Sequence, residues 1–200
     1  LTRDENGRQV ILVGQKSGMV YALDPANDGA LIWEQRAGSG GTMGGIHYGM
    51  SASAEKLFVG VSDLPTNNPY NIGPAHPGIH ALSLSTGEVL WRNDLPNQCE
   101  EGPFLCWPGI SAAVSSTTDL VFAGGLDGIL RAFDTDDGSI LWETNTRQSF
   151  GLRNGIQATG GSIESDGPVI VNGQVFITSG YEKWGEAPGN VVLVYSLNGE

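Results

Sequence analysis

Positive charge is scarce in this chain: 10 Lys and Arg stand against 22 Asp and Glu, a net charge of −12 over 200 residues. Such a surface repels phosphate backbones and anionic bilayers, so nucleic acid is excluded as a partner. The acidic residues are scattered rather than clustered, which is the pattern of a solvated exterior. No apolar run approaches the roughly 20 residues a bilayer-spanning helix needs, so no membrane span is expected. No stretch sustains helical periodicity either. The glycine-rich run 38–45 has no following Gly-Lys-Ser/Thr, no Gly-x-Gly-x-x-Gly and no helix after it, and so is not read as a phosphate loop. Neither a Gly-x-Ser-x-Gly elbow nor a His-Glu-x-x-His metal motif is present.

Only two cysteines occur, Cys99 and Cys106. Their spacing suits neither a zinc ribbon nor haem attachment. Two readings remain, a small-loop disulfide and a pair of reduced structural thiols. The Gly-Pro turn between them favours the disulfide, which implies an oxidising, periplasmic or extracellular setting. The chain opens at Leu1 without an initiator Met. The expectation is a piece of a longer polypeptide, with any signal peptide upstream.

What the sequence has in abundance is glycine, 30 residues, with 10 proline. Without a collagen period, that many turn-formers point to short strands joined by tight turns. The chain also repeats itself. Tyr21-Ala22-Leu23-Asp24 is followed by Gly29 and Trp33. His80-Ala81-Leu82-Ser83 is followed by Gly87 and Trp91, and Arg131-Ala132-Phe133-Asp134 by Gly138 and Trp142. A decayed fourth copy runs from Val194 to Gly199. The tryptophans are 58 and 51 residues apart, the size of one four-stranded propeller blade. The fold class expected is all-β, a β-propeller of four-stranded antiparallel blades. The blades are placed at about 1–38, 46–95, 110–146 and 167–200 of a single domain, 1–200. The clearest copy predicts strands at 110–115, 120–124, 129–134 and 140–144. Trp33, Trp91 and Trp142 are assigned to packing between blades, where a large ring fills the wedge. Asp134 to Gly138 reads as a turn, since the carboxylate spacing is wrong for an EF-hand.

In an up-and-down blade of strands A to D, the A–B and C–D turns share one face and the B–C and D–A connections the other. The turns 54–55, 85–87, 116–119, 135–138 and 172–173 are all short. The long loops 63–78, 96–109, 145–166 and 180–190 all fall on the second face. Long loops gathered on one face mark it as functional. The turn from Gly14 to Gly18, with Lys16 at its tip, and the segment from Gly44 to Gly49, which begins the innermost strand of the next blade, lie there too. Lys16, Arg147, Arg153 and Lys183 are the cations available on that face.

The Ala, hydrophobic, Asp, glycine-turn and Trp repeat resembles the tryptophan-docking motif of pyrroloquinoline quinone (PQQ)-dependent dehydrogenases, over nearly the whole chain. The stretches from Val10 to Asp24 and from Leu120 to Trp142 carry the resemblance most clearly. The loop from Cys99 to Cys106 and the closing GNVVLVYSLNG are most similar to the poly(vinyl alcohol) dehydrogenase branch. The resemblance implies about half, the C-terminal half, of an eight-bladed propeller. It implies oxidation of secondary or polymeric alcohols with PQQ and calcium, electrons passing to a cytochrome c. The catalytic aspartate, the calcium ligands and the tryptophan that stacks on the cofactor would all precede Leu1. Lys16 matches a Lys or Arg that contacts the quinone oxygens. His47 and Tyr48 match a cofactor-adjacent pair that is often Asn-Trp. Other propellers with this repeat bind no quinone, which leaves a non-catalytic scaffold binding protein or polysaccharide as the alternative.

Overall fold

The computed structural model describes residues 1–65, 71–151, 155–180 and 184–196; within them every regular element is a β-strand. Three four-stranded antiparallel sheets follow one another in chain order. The first is β1 (Thr2–Arg3), β2 (Gln9–Gly14), β3 (Met19–Asp24) and β4 (Ala30–Arg36). The second is β5 (Met50–Ala52), β6 (Lys56–Val61), β7 (Gly78–Ser83) and β8 (Val89–Asp94). The third is β9 (Ser115–Ser116), β10 (Leu120–Gly124), β11 (Ile129–Asp134) and β12 (Ile140–Asn145). A short hairpin, β13 (Ser149–Gly151) with β14 (Gln157–Thr159), precedes a last sheet of β15 (Val169–Val171), β16 (Gln174–Ser179) and β17 (Val191–Ser196).

Three cores lie between consecutive sheets. Val20, Ala22 and Trp33 pack on Leu57, Val59 and Leu82; Phe58, Ile79 and Ala81 pack on Val121, Ala123 and Phe133. The third core joins Phe122, Leu130 and Ala132 to Val175 and Ile177. Successive residues of β6 and β10 therefore feed alternate cores, as the period of two requires. This explains why β6, β7, β10 and β11 are almost wholly buried while the outer strands β8 and β12 are not.

The repeat residues have visible work. Ala22, Ala81 and Ala132 are the cross-strand partners of Trp33, Trp91 and Trp142, and each ladder shifts register immediately after the alanine. A small side chain opposite a large one leaves room for the ring. Trp33 Nε1 donates to Leu84 O of the next sheet at 2.9 Å, and Trp91 Nε1 to Thr135 O at 3.1 Å. The rings lie against the turn glycines Gly87 and Gly138, where an added Cβ would come within 2.5 and 2.4 Å of ring carbons. Trp142 differs: it is 38% exposed and meets Tyr195 edge-on at 5.2 Å. That contact, with Tyr195 of β17, joins the third sheet to the last. The glycine it would dock on, Gly199, lies with Leu197 and Asn198 outside the described residues.

Two further expectations change. The innermost strands are shorter than their sequence suggests, Ser115–Ser116 instead of 110–115, with the second sheet starting at Met50 instead of near Ile46. The residues before them bond to neighbouring sheets instead: Ile46 N to Gln15 O, Ile110 N to Val61 O and Ile163 N to Gly125 O. These three isoleucines also occupy the space a side chain would need at Gly14, Gly60 and Gly124. Near the axis the backbone therefore satisfies its donors across blades rather than within one ladder. Finally, the connection 145–166 holds the β13–β14 hairpin and is not without structure.

Candidate functional site

The connections after β2, β6, β10 and β16, and those between consecutive sheets, enclose one cavity of about 570 Å³. Every lining residue comes from them, and none from the short turns of the opposite face. Lys16, His47 and Tyr48 all line it. The structure thus brings the three candidate cofactor residues together from two separate connections.

Local chemistry explains how they are held. Lys16 is exposed at the tip of a tight turn. Gln15 N donates to Met19 O, Gly18 N to Gln15 O and Gly41 N to Lys16 O. Arg36 clamps the same turn, Nη1 reaching Ser17 O at 2.8 Å. The glycine-rich run packs backbone to backbone against it. Gly40 and Gly45 have φ of +76° and +81°, and a side chain on either would lie 2.4 Å from Ser17 O or Lys16 O. Only glycine accepts both that conformation and that approach.

The other side of the run wraps a carboxylate. Asp63 is fully buried. It accepts from Ser39 N at 2.6 Å, Gly40 N at 3.3 Å, Gly45 N at 2.9 Å and His76 N at 3.0 Å. Four amides satisfy the charge without a cation. The run 38–45, set aside as a phosphate loop, is therefore an internal anion cradle that fixes the segment carrying His47 and Tyr48.

His47 Nε2 donates to Gly44 O at 3.0 Å, leaving Nδ1 to accept from Ser111 Oγ at 2.8 Å. Both ring nitrogens are committed within the protein. Burial holds the imidazole below its ordinary pKa, and the Lys16 charge adds to this, while Gly44 O and Asp63 act in the opposite sense. His47 is accordingly neutral at pH 7. Tyr48 is about half exposed at the mouth.

Sequence reasoning missed much of the rest. Glu164 and Glu186 line the cavity and are buried, 5% and 1% exposed. Trp107, 4% exposed, donates Nε1 to Ser62 O at 2.9 Å and packs on Leu64 and Leu126. Isolated glutamates in loops of irregular sequence carry no periodic signal. Trp107 and Trp184, the two tryptophans outside the docking repeat, were the available hints. Cys99 and Cys106 form a disulfide. Arg147 Nη1 lies 3.1 Å from Cys106 Sγ; Arg153 and Lys183 lie outside the described residues. Across the cavity, Leu105 N donates to Gly185 O at 2.8 Å and Leu105 bridges Glu186 in parallel.

Among the described residues no three His, Cys, Asp or Glu side chains are arranged to hold a metal ion. For an anionic, multiply oxygenated cofactor the lining offers the Lys16 ammonium, opposed by Glu164 and Glu186; the Ser62 and Ser111 hydroxyl protons are already given to Met43 O and His47 Nδ1. Lys16 fits such a group, but its single charge does not offset the two carboxylates.

Residues 16–154 match the family model PQQ_2, described as outer membrane protein assembly factor BamB. A polyvinylalcohol dehydrogenase of Pseudomonas sp. is 41% identical over 98% of this chain and 32% of its own length. Thus the chain spans about a third of that relative. Among solved structures, BamB from Moraxella catarrhalis superposes with a TM-score of 0.61 at 20% identity, over 99% of this chain and 49% of that one. The quinohemoprotein alcohol dehydrogenase ADHIIG from Pseudomonas putida HK5 gives 0.58 at 18% identity, over 94% and 33%. At those identities the two structures establish the shared propeller fold.

Proposed function

We propose, on the premise that the chain belongs to the PQQ_2 propeller family, that it forms part of a PQQ-dependent dehydrogenase. Its substrates are secondary or polymeric alcohols, and its electrons pass to a cytochrome c. The observation that carries this reading is the convergence of Lys16, His47 and Tyr48 on one cavity on the long-loop face. The 41% identity to a polyvinylalcohol dehydrogenase supports the substrate class. The disulfide supports a periplasmic or extracellular setting.

PQQ, when bound, supplies an ortho-quinone that accepts hydride from the alcohol carbon. Lys16 would hold that group: its ammonium donates toward a quinone oxygen and stabilises negative charge developing there. The turn clamped by Arg36 and Gly40–Gly45 sets the position of the Lys16 backbone, so little ordering is needed on binding. His47, neutral and tied at both nitrogens, forms a fixed wall and neither donates nor removes the reacting proton. Trp107 and Leu126 exclude water beneath it. In this reading the base and the calcium ligands lie outside the chain.

The test is Lys16→Ala in the full-length protein, read by PQQ binding and by alcohol turnover. Turnover is expected to fall by roughly two orders of magnitude, the usual effect of removing one electrostatic stabiliser. Arg92→Ala, on β8 and remote from the cavity lining, is expected to leave both unchanged. Unaltered PQQ affinity and turnover in folded Lys16→Ala would overturn the assignment.

A further inference from the structure

We propose that Leu105 and Trp184 are specificity-determining residues, seating the hydrocarbon flank of a long or polymeric uncharged alcohol at the cavity mouth. The proposal rests on the reading of the chain as part of an alcohol dehydrogenase and names what that site selects.

The cavity lining mixes polar and apolar groups. Lys16, His47, Glu164 and Glu186 supply the charged and polar side chains and Trp107 and Leu126 buried apolar surface, while Leu105 and Trp184 line it and remain 48% and 64% exposed. Large apolar side chains gathered at a cavity mouth lose water only when something covers them. Their exposure is also enforced. The Cys99–Cys106 disulfide closes the loop immediately before Trp107, and the Trp107 indole is anchored on Ser62 O at 2.9 Å. Leu105 is tied across to Gly185 at 2.8 Å, and Glu186 Oε2 accepts from Trp184 N at 2.8 Å. Two connections distant in sequence are thereby strapped into one wall. A wall held in place before the ligand arrives spends little of the binding energy on ordering.

The chemistry of the occupant follows. An alcohol whose hydroxyl reaches the polar side chains Lys16, Glu164 and Glu186 with its hydrocarbon chain trailing outward covers Leu105 and Trp184. A small alcohol reaches the interior and leaves them wet. A sugar presents hydroxyls around its whole perimeter, which the Leu105 side chain cannot satisfy. A polyanion meets the exposed Glu100 and Glu101 on the outer arc of the clipped loop. The geometry therefore favours a neutral chain with spaced hydroxyls.

The experiment uses the full-length protein with Leu105→Ser and Trp184→Ala, both exposed positions, with circular dichroism to confirm the fold. Steady-state kcat/KM is measured with PQQ and calcium on propan-2-ol and on oligomeric 1,3-diols. Each variant is expected to lose about tenfold on the oligomer, mostly through KM, with propan-2-ol within twofold of wild type. Tryptophan fluorescence of the protein without PQQ, titrated with the same oligomer, gives an independent binding readout. If wild type binds the oligomer, Trp184→Ala does not, and no alcohol is oxidised, the mouth assignment stands and the functional reading falls. If both variants keep the wild-type oligomer preference, or wild type shows neither preference nor binding, the mouth assignment is wrong even where propan-2-ol is oxidised normally.

Discussion

Docking of one blade on the next can be tested at a single methyl group. Gly138 sits at φ +74°, and a Cβ there would come within 2.4 Å of Trp91 Cε3 and 2.7 Å of Cζ3. Gly173 has the same φ, +74°, but faces open space. Replacing either by Ala carries the left-handed backbone penalty, roughly 1–2 kcal/mol. Only Gly138→Ala also drives a methyl into an indole held on two sides, by its hydrogen bond to Thr135 O and by packing on Phe58 at 6.1 Å. Overpacking of that kind costs about 1–3 kcal/mol more. Expected losses are therefore about 1–2 kcal/mol for Gly173→Ala and about 2–5 kcal/mol for Gly138→Ala. Urea unfolding followed by tryptophan fluorescence measures both, with the slope checked for constancy. A further marker is the Trp91 emission maximum, which should move toward the red only in Gly138→Ala. Equal costs for the two variants would refute the claim that the glycine exists to admit the ring.

Other outcomes follow from the same geometry. Asp63→Ala strands three buried amide donors and the half-buried His76 amide; at about 1 kcal/mol or more for each buried one, a loss of about 3–4 kcal/mol is expected in chemical denaturation. Asp94 is held down to about 2, chiefly by His80 and then by His76. His80 Nε2 lies 3.2 Å from Asp94 Oδ1, and His76 Nδ1 lies 2.9 Å from Asp94 Oδ2. A depressed carboxylate contributes stability above its ordinary value of 3.8 and loses it as pH falls toward 2. Asp94→Asn should accordingly flatten the acid limb of the stability profile between about pH 4 and 2. Native protein should show no alkylatable thiol until reduced, and reduction should cost about 2–3 kcal/mol for so short a loop.

The sequence determined the fold because its signals are local. Asp, Gly and Trp recur at fixed offsets, since each is demanded by a turn or strand that forms from neighbouring residues. The strands Leu120–Gly124 and Ile129–Asp134 are legible to the residue for that reason. The sidedness of the long loops was legible too, because strand order alone assigns each loop to a face. That placed Lys16, His47 and Tyr48 on one surface. Tertiary structure decided what no local rule encodes. The innermost segments look like strands but bond across blades, because near the axis the nearest partner belongs to another repeat. Ala22, Ala81 and Ala132 are small because a ring sits opposite, a fact of register rather than of propensity. Asp63 and the glycine run meet only when separate connections converge, so their pairing has no spacing to betray it. Glu164, Glu186 and the strap from Leu105 to Gly185 join loops about 80 residues apart, and long-range pairing of irregular backbone is set by how the blades pack, not by the order of residues along either loop.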